Sequence, residues 1–293
     1  MTLEFISLVE ELCKVEELPI RHIPGFGKYS GIMPEICIAH PAKFNVDLVE
    51  YLILEYSKPG DILLDPFAGT GIMGVIAALY GRNAYQVEIE FLYFSWMEKA
   101  RENLERALPV GERGWIRNIL GDSRRLSELI PEPVDCIITS PPYGDTYLGG
   151  GDPEKRRLRL LRANHNPKDF LGGRARNAIL RHYGSIGRLP FSSSRGESYL
   201  SAMKKVYGEF NKVLKCGGYA IVVVKPFIRN FKVVDLPYHT YMLMTSCGFR
   251  LAKLMKHSGI GRSFWRILYY RKNPSVPEIR HEYVLVMKKD QGV

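Results

Sequence analysis

Three features of the sequence predict an α/β fold in which a parallel sheet is covered by helices on both faces. Apolar strand-like runs alternate with helical periodicities from residue 61 onward. A glycine-rich turn joins the first of these strands to a helix, and a rigid double-proline stub follows the fourth. Both punctuations fall after strands, at the edge where open α/β sheets bind ligands.

The elements follow in order. Asp61 to Asp65 (DILLD) reads as a short apolar strand and Ile72 to Tyr80 as the helix after it. Ala84 to Glu88 is a second strand that leads into a long helix from Phe91 to Ala107. Trp115 to Leu120 is a third, followed by a short helix at Arg124 to Ile130, and Val134 to Thr139 (VDCIIT) is a fourth. After Gly149, Gly150 and Gly151 the pattern breaks into a basic, turn-rich stretch, and helical periodicity resumes near Ser198. Gly217 and Gly218 end that helix, Tyr219 to Val224 is a fifth strand, and Leu236 to Cys247 is helical. Strands near Phe249 to Met255 and Glu282 to Lys288 close the sheet as an antiparallel pair, and residues 1–35 read as an N-terminal helical extension.

Composition narrows the class. The 293 residues, 46% of them hydrophobic, suffice for one large domain with an insertion. No apolar run is long enough to cross a membrane, and the acidic, periodic start is unlike a signal peptide, so the expectation is a soluble cytoplasmic protein. Cys13, Cys37, Cys136, Cys216 and Cys247 are far apart and form no CxxC pair, which suggests neither a disulfide framework nor a metal site. The net charge of +10 is concentrated: from Asp152 to Arg195 eleven Lys or Arg face three acids. Such a segment suits a polyanion, because neutralising phosphates releases counterions; a solvated loop is the alternative.

The glycine turn has two readings. In Asp65-Pro66-Phe67-Ala68-Gly69-Thr70-Gly71-Ile72-Met73-Gly74 the three glycines satisfy G-x-G-x-x-G, and Glu88 follows Gly69 by nineteen positions. That pattern fits a dinucleotide, with the backbone near a pyrophosphate and the acid on ribose hydroxyls. A pyrophosphate, however, wants the positive end of a helix without a competing carboxylate, and Asp65 stands just before the turn. An acid there suits a ligand with an ammonium group. S-adenosylmethionine has one, along with a ribose for Glu88 and an adenine amine that Asp122, after the third strand, is placed to accept. The alternative is that Asp65 caps the following turn and that Glu88 and Asp122 are ordinary strand-end acids.

DPFAGTG after the first strand and TSPPY after the fourth closely resemble the two signature motifs of S-adenosylmethionine-dependent amino-methyltransferases, specifically the group that methylates N4 of cytosine. His40-Pro41-Ala42-Lys43-Phe44 is similar to an additional cofactor motif of that family. The resemblance runs from about Ile36 to Tyr143. It implies a class I methyltransferase fold with a seven-stranded sheet, residues 36–293 as the catalytic domain, and a target-binding insertion at about 145–197. It further implies that His40, Asp65, Pro66, Phe67, Gly69, Thr70, Gly71, Glu88 and Asp122 bind the cofactor. In the same reading Ser140, Pro141, Pro142 and Tyr143 hold a flipped-out cytosine, with its ring on Tyr143 and its amine bonded to Ser140 and a backbone carbonyl.

The sequence lacks the large recognition segment of restriction-associated DNA methyltransferases. The basic stretch carries His165, Phe170, His182, Tyr183 and Phe191 among its arginines, a mix suited to phosphates and unpaired bases. A second set comprises Arg262, Phe264, Trp265, Arg266, Tyr269, Tyr270 and Arg271. The favoured partner is structured RNA, such as ribosomal RNA; site-specific DNA methylation is the alternative, and an NAD-dependent oxidoreductase a more distant one.

Overall fold

The computed structural model describes residues 6–20, 26–40, 44–109, 111–144, 185–192, 197–229, 231–258, 270–271 and 273–290. Most of the basic segment, Pro41 to Lys43 and the aromatic set from Arg262 to Tyr269 lie outside the described residues.

Ten strands are described: β1 Val15–Leu18, β2 Ile62–Asp65, β3 Asn83–Glu88, β4 Ile116–Leu120, β5 Val134–Thr139, β6 Leu214–Val224, β7 Phe227–Arg229, β8 Lys232–Val234, β9 Phe249–Ser258 and β10 His281–Lys289. The α-helices are α1 Val46–Tyr56, α2 Ile72–Leu79, α3 Phe91–Ala107, the single turn α4 Leu126–Leu129, α5 Tyr199–Val213 and α6 Leu236–Thr245. Eight strands form one sheet in the order β1-β9-β10-β6-β5-β2-β3-β4. The pairs from β6 to β4 are parallel, whereas β10 is antiparallel to both β6 and β9. Consecutive strands run outward from β2 to β4, and the chain then returns to place β5 on the other side of β2. That reversal opens a crevice at the carboxyl ends of β2 and β5.

Side-chain alternation explains the two cores. Cys136 and Ile138 on β5 join the core built with α1, α2 and α3, while Ile137 joins the one built with α4, α5 and α6. Both faces of β2, β5 and the second half of β6 are thereby buried, which is why these stretches read as continuous apolar runs, whereas the edge strand β4 keeps Arg117 and Leu120 exposed. Helix α2 is buried from Ile72 to Ala78, and α3 keeps an outer face of ion pairs such as Arg101–Glu105.

Three expectations are corrected. The sheet has eight strands rather than seven, because β1 adds to its edge parallel to β9. The described N-terminal residues form short 3-10 turns at Leu8–Glu11, Gly27–Tyr29 and Glu35–Ala39, and this strand, in place of the expected helix. Helix α5 ends at Val213, and the chain enters β6 before Gly217, whose positive φ of 73° accompanies a register shift against β5. No helix among the described residues is long and apolar enough to cross a membrane.

Candidate functional site

The crevice is assembled from four strand ends and the turns that leave them. After β2 the chain must reverse within a few residues to enter α2, and Gly69 (φ 54°) and Gly71 (φ 79°) take left-handed conformations there. A Cβ on Gly69 would stand 3.2 Å from Nε2 of His40, so the histidine is packed directly on the turn; its ring also meets Tyr93 edge-on at 4.4 Å. The third glycine serves packing instead. A Cβ on Gly74 would lie 2.4 Å from Cδ of Gln86, whose Oε1 accepts from the Gly74 amide at 3.0 Å. Gln86 then donates to Asn118, and Asn118 to Glu98 on α3, so a chain of polar side chains fixes α2 against the sheet.

Asp65 and Glu88 close the crevice from β2 and β3. Asp65 is 3% exposed, and Oδ1 accepts both from the Phe67 amide at 3.0 Å and from the Thr139 hydroxyl at 2.7 Å. Burial pushes its carboxyl up to about 6, against the opposing effect of those two donors. Because both bonds fall on Oδ1, Oδ2 is the atom that can receive a cation. Glu88 accepts from the Gly69 amide at 2.9 Å and from the Glu90 amide at 2.7 Å, and burial raises it to about 7. Among the described residues, the donors to these two acids are backbone amides and one hydroxyl, all of them neutral.

Asp122 follows β4 and has a structural task of its own: it caps the turn Ser123–Arg125 through the Arg124 amide and pairs with the Arg124 guanidinium at 2.6 Å. Arg124 in turn binds Glu197 at 2.6 Å, and Ser123 donates to the Pro66 carbonyl, so the turn after β4 is tied to the glycine turn. Phe67 is half-buried and Thr70 is buried within the turn.

The double-proline stub continues β5 across the other side of the crevice. Ser140 donates from Oγ to the Val223 carbonyl on β6 at 3.0 Å, Pro141 is buried, and Pro142 and Tyr143 are half-buried. The Tyr143 ring lies parallel to Phe227 with centroids 6.0 Å apart, and the Lys225 ammonium is 5.9 Å from its centre. Sequence reasoning missed Thr139, Lys225 and Phe227, although the run VVVKPF after the fifth strand carried a signal for the last two. Phe191 is corrected: rather than facing nucleic acid, it is 7% exposed and packs between Tyr199, Phe227 and His239.

Residues 23–99 match the family described as DNA methylase (N6_N4_Mtase). Among curated relatives, the tRNA (guanine(10)-N2)-dimethyltransferase of Methanothermobacter thermautotrophicus is 31% identical over 121 residues, 41% of this chain and 33% of that protein. Type II methyltransferase M.HinfI of Haemophilus influenzae is 43% identical over 61 residues, 21% of this chain and 17% of its own length. Orphan methyltransferase M.BamHII of Bacillus amyloliquefaciens is 39% identical over 87 residues, 30% of this chain and 32% of its own. The chain thus spans a third or less of each of these relatives. An acid ahead of the glycine turn, a second acid after β3 and neutral donors to both suit an ammonium and ribose hydroxyls, and disfavour a pyrophosphate. The sheet, parallel from β6 to β4 with an antiparallel β10 between β6 and β9, is Rossmann-like, and the stretch of it that carries the glycine turn is similar to a DNA methylase family.

Proposed function

We propose that this chain methylates the exocyclic N4 amine of cytosine in nucleic acid, and that its substrate is structured RNA of the ribosomal kind. One observation carries the amine: the Ser140 hydroxyl has already given its proton to the Val223 carbonyl. What Oγ offers the crevice is therefore lone pairs. Two prolines follow it and contribute carbonyls but no amide donors, so the stub is a set of acceptors. An amine fits such a wall, and a carbonyl or a hydroxylate does not.

The cofactor supplies an electrophilic methyl group when bound, held by Asp65 at its ammonium, Glu88 at its ribose, the Gly69–Gly71 backbone, His40 beside the turn, and Asp122 at its adenine. The protein's own residues present the nucleophile. Ser140 Oγ and the carbonyl at Pro141 accept from the amine, which turns the nitrogen lone pair out of conjugation with the ring, and Tyr143 stacks on the base to hold it in line. Alignment of two bound reactants is worth several kcal/mol, on the order of 7 or more in favourable cases.

The basic segment and the similarity to a tRNA methyltransferase favour RNA. The similarity to DNA methylases supports the second reading, a site-specific DNA methyltransferase. Transfer of radiolabelled methyl from S-adenosylmethionine to unmodified total RNA and genomic DNA in parallel, with nucleoside analysis, tests both. N4-methylcytidine in RNA is expected, and it should vanish in Ser140→Ala and Tyr143→Ala. Label confined to DNA overturns the RNA reading, and label on a ring carbon or a sugar overturns the amine.

A further inference from the structure

Phe231 occupies a position at which the folded chain gains little from a large side chain. Among the described residues it alone is a non-glycine with positive φ, at 61°. Its ring is 64% exposed, as open as any large apolar side chain described. It directly precedes β8 in the hairpin whose last described pair is Arg229 with Lys232. Short hairpin loops favour glycine or asparagine, because the hairpin twist demands left-handed conformations that bulky residues resist. A strained backbone and an apolar ring held in water together need a reason outside the fold.

The hairpin's base is fixed to the candidate active site. Phe227 at its start lies parallel to Tyr143 and meets Phe191 edge-on. Asp235, just past its end, caps α6 through the Tyr238 amide and accepts from Ser7 and from the Leu8 amide. The tip lies beyond this base, three residues from the Phe227–Val234 pair, or roughly 10 Å at the rise of an extended strand. Cationic side chains follow the same path: Lys225 beside Tyr143, then Arg229 and the exposed Lys232 on either side of the tip.

We propose that Phe231 is a stacking wedge for nucleic acid, its ring packing against bases next to the one held at Tyr143 while Arg229 and Lys232 engage the flanking phosphates. An exposed aromatic between two cations, on a chain of net charge +10, fits an unpaired strand in both chemistry and sign. When a base leaves the stack its neighbours lose a partner, and an aromatic wedge can replace it. The inference rests on the nucleic-acid reading above and adds a contact outside the reacting groups.

The test uses the full chain saturated with S-adenosylhomocysteine and short fluorescein-labelled single strands of RNA and of DNA, with affinity read by anisotropy. Phe231→Ala and Phe231→Leu should weaken binding about fivefold to a hundredfold, the worth of one lost stacking contact. Phe231→Tyr should bind like the wild type, and all three variants should keep wild-type affinity for S-adenosylhomocysteine. A leucine variant that matches the wild type would show that bulk and not stacking is used, and would overturn the proposal. An alanine variant that binds unchanged would also sink it, and would leave the exposed ring to a protein partner. Failure of the wild type itself to hold either strand would defeat the nucleic-acid reading and the wedge together, whereas strong wild-type binding untouched by substitution defeats the wedge alone.

Discussion

The parallel and antiparallel regions of this sheet both bury ionisable groups and treat them in opposite ways. At the carboxyl ends of β2 and β3, Asp65 and Glu88 receive backbone amides and one hydroxyl, and burial raises both carboxyls. In the antiparallel region, His257 on β9 is fully buried, with Nδ1 3.0 Å from Glu282 and Nε2 3.0 Å from the Ile20 carbonyl. Both partners offer oxygens, an arrangement that suits a ring protonated on both nitrogens. Burial pushes this histidine down, and its bond to Glu282 more than reverses that. One site pairs its ionisable group with an opposite charge from within the chain; at the other the described donors are all neutral.

The largest expected effect breaks the internally paired site. His257→Leu leaves Glu282 without its partner and the Ile20 carbonyl without a donor, and should cost about 3 kcal/mol of stability in urea unfolding. S-adenosylhomocysteine affinity should not change; a matching loss of affinity would show that the two sites are coupled. Asp65→Asn makes the converse change. Removing one charge-assisted contact should weaken S-adenosylhomocysteine by about tenfold to a hundredfold in calorimetry. The ligand-free melting temperature at neutral pH should hold or rise, since the donors described for that charge are all neutral, and a fall would mean that the crevice is as self-sufficient as the β9 site. Gly74→Ala should fall between these cases. Its Cβ would push on Gln86 and the relay to Asn118 and Glu98, costing about 2 kcal/mol by thermal or urea unfolding.

What the sequence made legible follows the same division. Strands β2, β5 and the second half of β6 show as apolar runs because both of their faces are buried, and the glycine turn and double proline are strong local punctuation. The carboxylates at successive strand ends could be placed for that reason. Strand β1 was illegible: VEEL carries two exposed glutamates, and its partner on β9 lies more than two hundred residues away. The Thr139–Asp65 bond was illegible too, since it depends on the adjacency of β2 and β5, which only the return of the chain creates. Phe191 misled because aromatics among arginines suit both an interface and a segment about to enter a core. Asp122 read as a ligand acceptor, and the structure adds its own capping and ion pair.

The smallest effect is the sharpest test of the Asp65 site. Thr139→Val removes one neutral hydrogen bond from Asp65, worth about 1 kcal/mol, while preserving side-chain volume. The Asp65 carboxyl stands raised at about 6 in the folded chain, above its ordinary range, so its contribution to stability is greatest below about pH 4 and is lost as pH rises through about 6. Ligand binding runs the other way, because a cation is attracted only by the ionised form. In the wild type, S-adenosylhomocysteine affinity should fall as pH drops through about 7, where Glu88 is protonated, and then more steeply with a midpoint near 6 as Asp65 is. The Thr139 hydroxyl favours ionisation, so the valine variant should move that midpoint upward, whereas Thr139→Ser should restore it. Isothermal titration across pH 5 to 8 reads the shift directly. An unchanged midpoint in the valine variant would mean that the cofactor's ammonium lies elsewhere than at Asp65, and the contrast between the two sites would lose its chemical basis.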